Sequence, residues 1–285
     1  MIIDFSSRPP LPAFNPRAGH LQNYRRVYRN SESQVDRDIG DDAFADYLAM
    51  YDAMGAHHIV LKARDLETTF GFKIPNEAVA DLCRRYPGRF IGFAGVDPHK
   101  GRAALDELDH AVKELGLRGL NVQCFEHRLP IDDPKLFRLY EKCVELDIPV
   151  NIHCGTNFSL QSEMRFGQPL LLDSVLTALP ELRVCASPPG WPWVHELLAV
   201  AWRHPNLWIG VLAVRQKLLA VTGSGYEPLL TYGKGILADR MIFGSSYPMM
   251  PVDRCIAEIK SLGLDADVER KWVYGNAAHF LDIET

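Results

Sequence analysis

No C-x-x-C pair occurs among the six cysteines of this 285-residue chain, Cys83, Cys124, Cys143, Cys154, Cys185 and Cys255. That argues against a zinc knuckle or a redox dithiol. Most of them sit in apolar context, where a free cysteine acts as a small hydrophobe, so a reduced, cytoplasmic protein is expected. No apolar run approaches the roughly 18 residues that span a bilayer, and no membrane partner is expected. The opening Met1-Ile2-Ile3-Asp4-Phe5-Ser6 has no basic stretch followed by an apolar one, so no signal peptide is expected either. A surplus of positive charge is missing: 31 basic residues stand against 36 acidic ones and the net charge is -5, so no basic surface argues for nucleic acid. Repeats, low-complexity segments and linkers are missing as well.

What is present is material for a core, with 47% hydrophobic residues. The length suits one large α/β barrel or two small domains. Eight short β-branched runs are predicted strands: Met1–Ser6, His57–Lys62, Phe90–Val96, Gly119–Gln123, Ile148–His153, Arg183–Ala186, Leu207–Val211 and Arg240–Phe243. Amphipathic segments lie between most of them. In Gly101–Leu115, Ala104, Leu105, Leu108, Ala111, Val112 and Leu115 recur at helical spacing. In Pro134–Leu146, Leu136, Leu139, Tyr140, Cys143 and Val144 share a face. Eight such alternations predict a single-domain (β/α)8 barrel of the TIM type over residues 1–285, with right-handed crossovers. Two long loops, 7–40 and 157–168, follow strands one and five. Both would emerge at the mouth where barrel active sites lie.

Several motifs then carry a resemblance. They are Pro75-Asn76-Glu77, Tyr86-Pro87-Gly88-Arg89-Phe90-Ile91-Gly92-Phe93-Ala94, Val96-Asp97-Pro98, Gly190-Trp191-Pro192-Trp193, Arg203-His204-Pro205-Asn206, Asp239-Arg240, Phe243-Gly244-Ser245 and Gly275-Asn276-Ala277. In that order and spacing the chain resembles the amidohydrolase superfamily. More narrowly, it is similar to the branch of aminocarboxymuconate-semialdehyde decarboxylase and related aromatic acid decarboxylases. The resemblance implies a metal held by an Asp-x-His-x-His first strand, a histidine ending strand five, another after strand six and an aspartate after strand eight. Here Ser6 and Arg8 stand at the two first-strand histidine positions. His153 matches the fifth-strand histidine, Ser187 the sixth-strand one, and Ser246 the aspartate. Asp4, Ser6 and Arg8 are expected to share a face near the mouth with His153, Ser187 and Ser246.

One imidazole, three hydroxyls and a guanidinium do not make a divalent-metal site, which needs about three or four N, S or carboxylate ligands. No metal and no cofactor are expected. A metal rescued by loop residues would have to use Glu126, His127 or Glu163. Arg8 puts a permanent cation where the ion would lie, and a guanidinium binds a carboxylate or enolate in a bidentate way. Alternatively, Arg8 pairs with Asp36, Asp38 or Asp41 in the first loop. His153 either moves a proton or is an inherited, hydrogen-bonded mouth histidine. Gln123, Lys62, Arg215 and Tyr247 are further candidates for substrate contact, and Ser246 for catalysis with His153 and Arg8. Trp191, Trp193 and Trp202 read as packing. No G-x-S-x-G elbow marks a serine nucleophile.

Two readings follow. In one, the barrel acts without a metal on a small organic acid, carboxylated or enolic and cyclic, by decarboxylation, lactone or C–C bond hydrolysis, or related proton transfer. In the other, it is a non-catalytic subunit that supports an active partner, possibly a paralogous barrel. The resemblance implies a homodimer.

Overall fold

The computed structural model describes residues 1–16, 18–28 and 36–283. All eight predicted strands form, at Ile2–Asp4, Ala56–Lys62, Phe90–Phe93, Leu120–Val122, Val150–His153, Val184–Ser187, Leu207–Val211 and Met241–Phe243. Every neighbouring pair within the two barrel sheets is parallel. Strands one to three make one sheet and strands four to eight another. Two narrow seams join them. Ala94 donates its N–H to the Gly119 carbonyl and accepts from Asn121 N–H, both at 2.7 Å, which links strands three and four. Phe5 N–H donates to the Phe243 carbonyl at 3.2 Å, and Ser246 N–H to the Ser6 carbonyl at 2.8 Å, which links strands one and eight.

Strand alternation divides the apolar residues into two layers. Ile3, Phe5, Val60, Ile91, Phe93, Cys185, Trp208 and Ile242 fill the interior. The helix Asn276–Phe280 closes that interior from below, with Phe280 edge-on to Phe5 at a centroid distance of 5.5 Å. Asn276 fixes this helix by donating to the carbonyls of Ala238 at 2.8 Å and Met241 at 2.7 Å. The outer layer packs helices on the strands. Arg102–Lys113 buries Ala104, Leu108 and Ala111. Pro134–Glu145 buries Leu136, Leu139, Tyr140 and Cys143, and Asp133 caps it by accepting from Lys135 N–H at 2.9 Å.

The two long loops carry local structure. Within 7–40 there are turns at Pro12–Phe14 and Gly19–Leu21 and a helix at Gln22–Tyr28; residues 17 and 29–35 of this loop lie outside the described residues. Within 157–168 there is a turn at Met164–Gly167. An antiparallel hairpin of Arg64–Leu66 with Phe72–Ile74 was not predicted. Its strands are three residues each, too short to show alternation, and Lys100 fastens it through Asp65 at 2.5 Å and Glu67 at 2.7 Å.

The first strand also breaks its alternation. Asp4 accepts from Tyr51 Oη at 2.6 Å, and Ser7 Oγ lies 2.8 Å from Tyr47 Oη. Both tyrosines belong to the outer helix Asp41–Ala53. Residues three apart on a regular strand face opposite sides, so the register slips between Asp4 and Ser7. Asp4 therefore does not share the cavity face with Ser6 and Arg8, contrary to the expectation from spacing. It is fully buried and also accepts from Ser245 Oγ at 2.5 Å, Ser245 N–H at 2.8 Å and Ser6 N–H at 3.2 Å. Burial raises its carboxyl, and the donors around it work against that rise.

Replacing Asp4 by Ala orphans several buried donors, each costing about 1–3 kcal/mol. A stability loss of roughly 3–5 kcal/mol is expected, against about 1–2 kcal/mol for Tyr51→Phe, which removes one donor only. Urea unfolding at unchanged slope measures both; equal losses would show that Asp4 is not the shared anchor.

Candidate functional site

A cavity of about 630 Å³ opens at the C-terminal ends of the strands. Eight of the nine residues singled out in the sequence as catalytic or substrate-binding line it together: Ser6, Arg8, Lys62, Gln123, His153 and Ser187 from the ends of strands one, two, four, five and six, and Ser246 and Tyr247 from the loop after strand eight. Arg215 does not. Its guanidinium is bound to Glu258 of the outer helix Val252–Lys260, with Nε at 2.9 Å. The residue follows strand seven as predicted, but a carboxylate behind the strand end draws it away from the mouth.

Cations dominate the electrostatics. Arg8, Lys62 and Arg64 all line the cavity, and Glu126 is the carboxylate among them. Arg64 Nη1 donates to both oxygens of Glu126, at 2.9 and 3.1 Å, and His20 Nε2 lies 3.0 Å from Oε1. Burial alone would raise the Glu126 carboxyl, but Arg64 and His20 overcome it and hold it down to about 2. Glu126 is thus already neutralised. Arg8 makes no ion pair among the described residues. Asp36, one of its candidate partners, pairs instead with Arg25 at 2.9 Å. Burial, with Arg64 close by, lowers the Arg8 guanidinium to about 9, so it stays charged at neutral pH.

Lys62 rises from strand two inside the barrel. Its Nζ stands 4.6 Å from the centroid of the Phe5 ring. Burial, the largest influence, lowers the amine to about 7; Cys185 opposes this weakly and Arg64 reinforces it. Among the described residues it has no hydrogen bond or ion pair.

His153 ends strand five at the cavity. Its ring lies 4.5 Å from that of Phe125. Its Nδ1 is buried and without a partner, on the side where a Cβ on Gly167 would approach to 3.3 Å. Burial lowers the imidazole to about 4, so it is neutral at pH 7. Beside it runs a chain of amides across strands four to six. Gln123 Nε2 and Asn151 Nδ2 both donate to Asn121 Oδ1, at 3.0 and 2.9 Å, and Ser187 Oγ donates to Asn151 Oδ1 at 2.7 Å. Gly210 leaves room for this: a Cβ there would come within 2.6 Å of the Ser187 Cβ. Ser246 sits at φ 57, a left-handed backbone uncommon outside glycine.

Sequence reasoning missed Asn151, although its place two residues before His153 puts it on the same face. It also missed His20, which sits in an irregular loop with no periodicity to reveal it. Glu126, His127 and Glu163, the loop residues able in principle to rescue a metal, do not converge. Glu126 is committed to Arg64 and His20, and Glu163 is exposed and paired with Arg165. His127 has an unpartnered, buried Nδ1 but no carboxylate or second imidazole joining it in a ligand set. No group of three His, Cys, Asp or Glu among the described residues is placed to hold a metal ion. The donors at the cavity floor are hydroxyls, amides, one imidazole and cations, and these do not fit a divalent ion.

The amidohydrolase family profile matches residues 34–283. Gamma-resorcylate decarboxylase of Rhizobium radiobacter is 26% identical over 214 residues, covering 62% of this chain and 65% of that protein. The 2-amino-3-carboxymuconate-6-semialdehyde decarboxylase of Dictyostelium discoideum is 26% identical over 125 residues, 39% of this chain and 35% of that protein. The chain thus spans less than two thirds of the length of these curated relatives. Among solved structures, the uncharacterized TIM-barrel protein Bb4693 of Bordetella bronchiseptica is 27% identical with a TM-score of 0.83, covering 99% of this chain and 98% of that one. A Polaromonas dihydroxybenzoic acid decarboxylase with bound manganese and 2-nitroresorcinol shares the fold, at 17% identity and a TM-score of 0.68 over 99% and 96% of the two chains. A profile that takes in all eight strands but the first, over a closed parallel barrel with its cavity at the strand ends, leads to one assignment: the chain belongs to the amidohydrolase family.

Proposed function

We propose that this barrel decarboxylates a small carboxylated acid, phenolic or enolic, without a metal ion. The observation that carries the proposal is the excess of positive charge at the cavity. Glu126 is neutralised by two partners, while Arg8 makes no ion pair among the described residues and faces the same space as Lys62 and a neutral His153. An unpaired guanidinium in a poorly solvated cavity favours an anion, and its fork fits a carboxylate. The curated relatives named above are decarboxylases, which favours loss of CO2 over the other reactions that such a pocket suits.

Loss of CO2 leaves an electron pair on the carbon that held it, and that carbon takes up a proton. Arg8 holds the acid, and the amide chain presents Gln123 and Ser187 to its other oxygens. His153 carries the proton. In the free protein its imidazole is a weak base, because burial disfavours the cation. A bound anion reverses that penalty, since an opposite charge nearby favours the protonated form. Substrate binding therefore prepares the acid that the reaction uses. A donor set of hydroxyls, amides, one imidazole and cations supports a sequence of steps without a metal.

Purified protein is expected to carry no stoichiometric zinc, manganese or iron, and chelator to leave both fold and activity unchanged. Stoichiometric metal that is removed with loss of activity would overturn the proposal.

Arg8→Ala should weaken carboxylate binding by roughly 2–5 kcal/mol, the range for truncating one partner of a buried charged pair. His153→Asn should lower turnover by about two to four powers of ten while leaving binding nearly intact. Calorimetry and CO2 release separate the two effects. Near-wild-type rates for both variants would remove these residues from the mechanism.

The His153 ring protons should titrate by NMR with a midpoint near about 4 in the free protein. Because the bound anion stabilises the imidazolium, the midpoint should move up with 2,6-dihydroxybenzoate present. A free-protein midpoint at the ordinary value of about 6.5, or no movement with the acid, would contradict the role given to it.

A further inference from the structure

Ser187 can offer the cavity lone pairs but no hydrogen. The reason lies in the amide chain behind it, whose direction is fixed at one end. The Ala63 carbonyl can only accept, and Asn121 Nδ2 donates to it at 3.1 Å. That orients the Asn121 side chain, whose Oδ1 accepts from Gln123 Nε2 at 3.0 Å and from Asn151 Nδ2 at 2.9 Å. Asn151 is oriented in turn. Its nitrogen is given to Asn121, so its oxygen is the atom that meets Ser187, and Ser187 Oγ donates to it at 2.7 Å. Turning any one of these amides over would set oxygen against oxygen in a buried place, where unmet polar groups are costly.

A serine hydroxyl has one hydrogen and two lone pairs. The hydrogen of Ser187 is committed to Asn151, so towards the cavity that it lines Ser187 can only accept. Gln123 lines the same cavity, and its Oε1 accepts no hydrogen bond among the described residues. Arg8 and Lys62, by contrast, bring only donors. The cavity therefore makes two different demands on a ligand. A carboxylate meets the cations. It does not meet Ser187, because its oxygens have no hydrogen to give.

We propose that Ser187 is a specificity-determining acceptor that selects a hydroxy acid with its hydroxyl protonated, and that Asn121 and Asn151 are the positioning residues that make it one. This rests on the decarboxylase reading and deepens it, because it fixes the chemistry of the second oxygen: the carboxylate goes to Arg8 and the O–H to Ser187. Ser187 and His153 are paired across strands five and six. In a phenolic or enolic acid that loses CO2, the hydroxyl stands on the carbon next to the one that takes up the proton. Holding the O–H at Ser187 thus turns that neighbouring carbon to the side of the cavity where His153 stands.

The test compares 2,6-dihydroxybenzoate with 2,6-difluorobenzoate by calorimetry on the full-length protein at pH 7. Fluorine keeps the carboxylate and nearly the size of a hydroxyl, but has no hydrogen to donate. The wild type should bind the dihydroxy acid at least about fivefold tighter, the worth of one neutral hydrogen bond. In Ser187→Ala the ratio of the two affinities should fall towards one; comparing ratios removes whatever the acids differ by in water. Asn151→Leu releases the Ser187 hydrogen. Benzene-1,2-dicarboxylate, which brings an oxygen without a hydrogen, should then gain at least about fivefold against 2,6-dihydroxybenzoate. Equal wild-type affinity for the dihydroxy and difluoro acids, or a ratio unchanged by Ser187→Ala, would overturn the proposal. CO2 release from 2,6-dihydroxybenzoate is followed in the same preparations. Release without any preference between the two acids removes the acceptor and leaves the decarboxylase standing. A preference that Ser187→Ala abolishes, in a protein that releases no CO2, does the reverse.

Discussion

The buried carboxylate of Asp4 is the constraint on which the rest of the mouth depends. It takes donors from three places: the outer helix through Tyr51, the loop after strand eight through Ser245, and its own strand through Ser6. A closed barrel must join its first and last strands, and here only a few backbone hydrogen bonds do so. The Asp4 cluster reinforces that seam where it reaches the cavity. The register slip after Asp4 has the same origin, because Asp4 and Ser7 both answer to tyrosines on one helix. Arg8 then follows Ser7 into the cavity, and Ser246 meets it from across the seam. A fold-holding interaction and the anion-facing residues are thus parts of a single arrangement.

A second principle runs through the interior, which is that burial acts on each ionisable group according to what surrounds it. Glu126 stays ionised because Arg64 and His20 supply compensating charge. His153 lacks such a partner and becomes neutral. Arg8 keeps its proton near pH 7 and makes no ion pair among the described residues. Among the described residues the three responses leave more positive than negative charge at the cavity.

The fold was legible because it rests on local patterns. All eight strands were visible as short β-branched runs, and the helices Arg102–Lys113 and Pro134–Glu145 as apolar residues at helical spacing. The hairpin at Arg64–Leu66 and Phe72–Ile74 was not, since three-residue strands carry no period. At the site, motif positions brought Ser6, Arg8, His153, Ser187 and Ser246 to one cavity, although spacing alone wrongly added Asp4. Periodicity assumes an unbroken strand, and nothing in Asp4-Phe5-Ser6-Ser7 announces that two tyrosines some forty residues away will break it. Arg215 failed for a related reason. Chain order placed it at a strand end, but its direction was decided by Glu258, a partner 43 residues further on. Charge partners are tertiary facts, and a single sequence records the charges without the pairing.

The floor beneath the cavity has a consequence for how the protein comes into being. Phe280, which packs under Phe5, belongs to the last helix of the barrel, while Phe5 lies in its first strand. Domains emerging from the ribosome begin to organise from the N-terminal side. Strands one to eight can therefore gather before residues 276–280 are available to seal them. Until then the interior below the cavity is open to water. Docking of this helix therefore encloses the barrel interior only after the strands that form its wall have gathered.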